Sequence, residues 1–165
     1  MPATYEPIAT TTLGSATNTI TFSSITSSYT DLRVVLTVVG VSATADAVIK
    51  LNNESSGLVS STYLSGNGST AGSGAVQNNA FAYLNLGADL SGQALVTTDI
   101  FSYSGSTFKT FLSTFSNDRN GSGYVNRQVN LYRSTSAINR IDLYLLSART
   151  FSAGTTATIY GILRA

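Results

Sequence analysis

Apolar and polar residues alternate with a period of two along most of this chain, the pattern of half-buried strands. In "KTFLSTFSN" the alternation sets Phe111, Ser113 and Phe115 on one side. "YVNRQVNLY" places Val125, Arg127, Val129 and Leu131 on one face, and "RIDLYLLSA" sets Ile141, Leu143 and Leu145 against Asp142 and Tyr144. "NTITFSSI" directs Ile20, Phe22 and Ile25 towards a core, and "AFAYLNL" separates Phe81 and Tyr83 from Ala82 and Leu84. The dense β-branched run "LRVVLTVVGV", from Leu32 to Val41, predicts a central strand covered on both faces. "AVIKLN", "GLVSSTYL", "ALVTTDIFSY" and the closing "TTATIYGIL" add further strands. No segment sustains a 3.6-residue period, and Glu and Lys together supply only four residues. About nine or ten strands at spacings near 8–12 residues predict an all-β fold, an antiparallel β-sandwich.

Turn chemistry falls between these runs. Asn120-Gly121 in "NDRNGSGY" is a hairpin signal, and "SAGTT" turns the chain into its last strand. "SGNGSTAGSGAVQNN", from Ser65 to Asn79, is a long low-complexity stretch expected to be a functional or mobile loop, with "GNGSTAG" inside it a flexible tip or an inter-subunit contact. The first fifteen residues, with Pro2 and Pro7, are extended in character. The expected organisation is an N-terminal arm over residues 1–15, able to pair along a sheet edge or reach a neighbour, and a sandwich domain over residues 16–165.

Composition sharpens the picture of the surface. At 165 residues the chain is one domain by the usual prior. Charged residues make up 10%, well below the common figure of about 25%, and the net charge is +1. Solubility therefore rests on Ser, Thr, Asn and Gly, whose neutral polar groups are desolvated at a contact more cheaply than ions. Such a surface suits packing against neighbours and gives no argument for nucleic acid. No run approaches the 18 or so apolar residues of a spanning helix, so no membrane partner is expected. The N-terminus has no basic start and no apolar stretch of the kind that marks a signal peptide.

Chemistry is sparse. The chain has no Cys and no His, which removes thiolate sites and the commonest base and metal ligand. The strand-borne carboxylates Asp99 and Asp142 are the candidates for a paired-acid site, but Arg140 flanks Asp142. "DRNGSG" starts like a calcium loop but has Val129 where a bidentate Glu is required. "GNGSTAG" lacks the spacing of a phosphate loop. No enzyme, cofactor or metal is expected. Seven of the nine basic residues are Arg, six of them in the last third, and Arg is enriched at protein interfaces.

"TYEPIATTTLGS", "ITFSSI", "YTDLRVVL" and "FSAGTTATIYGI", with its Tyr160-Gly161-Ile162 ending, resemble small all-β virion proteins of tailed bacteriophages, especially phages of cyanobacteria and other aquatic bacteria. The likeness covers both ends of the chain, about a third of it. It implies a jelly-roll-like sandwich, a location in the virion, and a role as a capsid decoration or cement protein that binds the major capsid protein, commonly as a homotrimer. On that expectation Pro2, Tyr5, Pro7, Ile8 and Leu13 of the arm, with Arg133, Arg140 and Arg149, are the candidate partner-binding residues. The alternative is a tail-fibre or spike-tip module that binds host glycan through the Ser65–Asn79 stretch and the tyrosines.

Overall fold

The structure is a computed structural model and describes residues 5–163. Twelve strands form among them: β1 (Tyr5–Thr12), β2 (Thr19–Phe22), β3 (Asp31–Val38), β4 (Ala47–Leu51), β5 (Val59–Gly66), β6 (Ala71–Asn79), β7 (Ala82–Tyr83), β8 (Ala94–Ile100), β9 (Lys109–Asp118), β10 (Gly123–Tyr132), β11 (Ile141–Leu145) and β12 (Thr156–Ile162). Eight of them make one sheet in the order β1-β12-β3-β8-β9-β10-β5-β6. The other four make a second sheet, β2-β11-β4-β7. All pairings are antiparallel. The chain repeatedly crosses from one sheet to the other, so the sandwich is wound in a jelly-roll-like way rather than as two separate meanders. Within the N-terminal segment, Tyr5–Thr12 is drawn into the larger sheet, where β1 is bonded to β12.

The core lies between the sheets. From the larger sheet it takes Leu32, Val34, Leu36, Val96, Ile100, Phe111, Phe115 and Ile159; from the smaller, Ile20, Phe22, Ile49, Leu51, Ile141, Leu143 and Leu145. Each such side chain contributes roughly 1.5–3 kcal/mol by leaving water. The alternation expected in β9 and β11 is what the fold uses, and Ile20, Phe22 and Ile25 are buried.

Two expectations are corrected. β3 is central in the sheet but covered on one face only: Leu32, Val34, Leu36 and Val38 are buried, while Arg33, Val35 and Thr37 look outward. The smaller sheet covers one side of β3, and its apolar outward residue Val35 belongs to an open face. The Ser65–Asn79 stretch is not a loop but the end of β5, a tight turn and β6. Asn67 builds the turn, its Oδ1 accepting the amides of Ser69 (3.0 Å) and Thr70 (2.8 Å). Gly74 is required because Tyr63 lies against it; a Cβ there would sit 2.8 Å from Tyr63 Cε1. Gly74, one of the glycines that make this stretch look structureless, is what lets the strand pass over an aromatic ring.

β10 reverses the usual order of inside and outside. Val125, Arg127, Val129 and Leu131 do share a face, but it points away from the core. Asn126, Gln128, Asn130 and Tyr132 point inward and are buried. Asn126 Nδ2 donates to Leu86 O, and a Thr98–Ser113 hydroxyl bond of 3.0 Å lies on the same inner side. Five buried atoms, Ser61 Oγ, Asn126 Oδ1, both polar atoms of the Gln128 amide and Asn130 Oδ1, have no hydrogen-bond partner among the described residues. The inner face thus passes from mainly apolar at β3 and β8 to polar at β10 and β5.

Candidate interaction surface

The outer face of the eight-stranded sheet follows from the pairing registers. One cross-strand row reads Arg33, Asp99, Leu112, Val129, Thr62 and Ala75. The next reads Thr158, Val35, Thr97, Thr114, Arg127, Leu64 and Ser73. A third reads Thr156, Thr37, Leu95, Ser116, Val125 and Gly66. Three charges appear in these rows. Arg33 and Asp99 neutralise one another through a two-pronged contact, Nε–Oδ1 at 2.5 Å and Nη2–Oδ2 at 2.9 Å, which holds the guanidinium firmly protonated. Arg127 is the third. The remainder is hydroxyl and aliphatic.

Apolar side chains stand out of this face at the β5–β10 end: Leu64 is 67% exposed, Val125 65% and Val129 46%. A shallow groove of about 360 Å³ runs among Leu64, Gly66, Thr114, Val125 and Arg127. Interface cores are depleted in charge, and contiguous exposed apolar groups mark contact sites. At the end of the sheet a second groove of about 550 Å³ lies between the β5–β6 and β9–β10 turns, lined by Asn67, Asp118, Tyr124 and several glycines. The second of those turns is the predicted Asn-Gly hairpin, with Asn120 and Gly121 both at positive φ and Asp118 Oδ1 accepting the Gly121 amide at 3.0 Å.

The residues picked from sequence do not gather in one place. Pro2 lies outside the described residues. Tyr5 is exposed at the β1 edge and stacks on Tyr160, ring centroids 4.7 Å apart. Pro7 sits opposite Tyr160, at a break in register between Pro7 and Ala9. Ile8 and Leu13 pack against the core. Arg133 lies far from this edge, its Nη2 donating to Gly57 O (2.9 Å) and Asn78 Oδ1 (3.0 Å). Arg140 immediately precedes β11 of the other sheet and pairs with Asp142. Arg149 is exposed beside the β11–β12 connection. What sequence reading missed is Leu64 with Val125 and Val129; the period-two stripe in β10 was visible, but not that its polar side faces in.

Two further ionic groups, Asp142 and Lys109, serve the fold. Asp142 is buried, which by itself raises its pKa. The two bonds from Arg140 at 2.8 Å, a bond from Thr21 and the charges of Arg140 and Lys50 outweigh this and hold the carboxyl below its ordinary value. Asp99 and Asp142 stand on different sheets, each taken by its own guanidinium. Lys109 is fully buried; its Nζ donates to the carbonyls of Gly105 and Thr107 (2.8 Å each) and Ser134 (3.2 Å), and burial lowers its pKa. It ties two loops together. Among the described residues no group of three or more acidic side chains is placed to hold a metal.

Compared with known protein families and with curated proteins, the chain matches none.

Proposed function

We propose that this protein is a structural component of a phage virion, a decoration or cement protein that binds the major capsid protein on the assembled head and stabilises it. The observation that carries this reading is the outer face of the eight-stranded sheet, a field of hydroxyls with exposed Leu64, Val125 and Val129 around Arg127 at its β5–β10 end and a self-neutralised Arg33–Asp99 pair on β3 and β8. A face of that kind loses little on desolvation and gains from burial, which suits lasting contact with another protein. The sequence resemblance supports the same direction. Copies linked in an oligomer engage several capsid sites at once, and avidity of about 10²–10⁴ over a single contact follows for linked sites.

The test is co-sedimentation of the purified chain with heads of the source phage, comparing wild type with the double variant Leu64→Lys and Val125→Lys. Wild type is expected to pellet saturably and the variant to lose at least tenfold in affinity, about 1.4 kcal/mol. Saturable binding unchanged by the two lysines would move the contact to another face, and no binding of wild type would reject the capsid role. A specific feature favours one other reading, the glycan-binding tip: the groove between the two turns, where Tyr124 and Asp118 are polar and aromatic partners of the kind sugars use. Label on tail fibres rather than heads in immunogold images of intact particles would select it.

A further inference from the structure

The eight-stranded sheet ends in two edge strands, and they differ in how they are guarded. β1 carries Pro7, which has no amide hydrogen, a register break at Pro7–Ala9, and the charged Glu6. These are devices by which edge strands resist further pairing. β6 has none of them from Ala71 to Val76: no proline, no charge, and an unbroken register with Ser61–Gly66. The irregularity comes only afterwards, near Asn78 with its positive φ. Side chains along the stretch are small, and Ala71, Gly72, Ser73 and Ala75 are exposed. One side of β6 is bonded to β5, and the other is the open end of the sheet.

We propose that β6 is a pairing edge and that its occupant is β6 of a second copy of this chain. A row of unpaired backbone donors and acceptors selects an extended strand. This strand is complementary to itself. A two-fold axis normal to the sheet at Gly74 lays two copies antiparallel, with Ser73 opposite Ala75 of the partner subunit. In that register inner positions meet inner positions and outer meet outer, so no side chain is forced onto the wrong face. Neither strand brings a charge, so no like charges oppose one another. Leu64 is the cross-strand neighbour of Ser73, so pairing brings the two exposed apolar patches onto one continuous outer face.

Such a contact is isologous and closes as a dimer, a different symmetry from the three-fold ring that the sequence resemblance implies. It does not rest on the capsid reading. The test is sedimentation equilibrium of the full chain from low to high micromolar concentration, alongside the double variant Ser73→Lys and Ala75→Lys. Both positions are exposed on the outer side, so the variant is expected to keep its circular dichroism and its Tm. Wild type is expected to approach twice the 17.2 kDa of one chain, and the variant to remain at that mass. Deuterium exchange across residues 71–76 is expected to be slow in concentrated wild type and fast in the variant. A wild type that stays monomeric overturns the proposal. So does an oligomer that survives both lysines, or one whose β6 amides exchange freely. Each of these results leaves capsid binding to be decided by its own assay.

Discussion

Gly161 sits where a Tyr ring needs to lie. A Cβ at this position would be 2.3 Å from Tyr29 Cγ and 2.4 Å from its Cδ2, inside any tolerable contact. The ring rests flat on the backbone of β12, and its hydroxyl donates to Glu6 Oε2 at 2.7 Å, so one side chain links the β2–β3 connection to both β12 and β1. Gly161→Ala is expected to cost about 1–3 kcal/mol through overpacking and to lower Tm by several degrees. In a Tyr29→Ala background the same substitution should cost much less, and a double-mutant cycle measures the difference. An equal cost in both backgrounds would place the constraint elsewhere. A second residue-scale expectation concerns acid. The Asp142 carboxyl has a lower pKa in the folded chain than the unfolded value of about 3.9. Its contribution is therefore fully present above that value and is lost as pH falls through it towards the folded one. Asp142→Asn should lower stability at neutral pH and make the remaining stability less steep between pH 5 and 2, read by urea titrations at each pH.

At the scale of elements, β1 behaves as part of the sandwich. Ile8 and Leu13 touch the core, the Leu13 amide donates to Thr155 O at 2.9 Å, and Thr10 and Thr12 bond across to Thr158 and Thr156. Removing residues 1–12 should cost at least about 2 kcal/mol, because Ile8 is lost and β12 becomes an edge. A denaturation midpoint unchanged by the truncation would show that β1 contributes little. The period-two alternation made β9, β11 and the Asn120-Gly121 hairpin legible from residues alone, since each has one apolar and one polar face or a turn that demands positive φ. β6 was hidden because glycine and serine carry no hydrophobic period; its inward Gly74 leaves room for the Tyr63 ring. β3 looked twice covered because Val35 and Val39 are apolar, yet they lie on or beside an open face. Exposed Val125 and Val129 read like core residues, and only the packing of Asn126, Gln128 and Asn130 inward shows otherwise.

For the whole molecule, the sheet registers are mostly between segments distant in sequence, such as β1 with β12 and β3 with β8, so folding is expected to be slow for its size. The same long pairings spread a wide outer face on which Arg127 is the one charge of the three rows without a carboxylate partner among the described residues, and that sparseness makes a prediction about docking. Ion pairs exposed to solvent weaken as the Debye length shrinks from about 10 Å at 0.1 M salt to about 3 Å at 1 M. Contacts made by Leu64, Val125 and Val129 do not depend on that length. If the outer face is what meets the capsid, affinity for heads should hold within about threefold across this range of salt. Leu64→Lys with Val125→Lys should weaken binding at every salt concentration, because the lysines must be desolvated at the contact. A steep fall in wild-type affinity with salt would instead assign docking to charges. Arg127 would then be the first to replace, since it lies on this face, is exposed and has no carboxylate partner within the described residues.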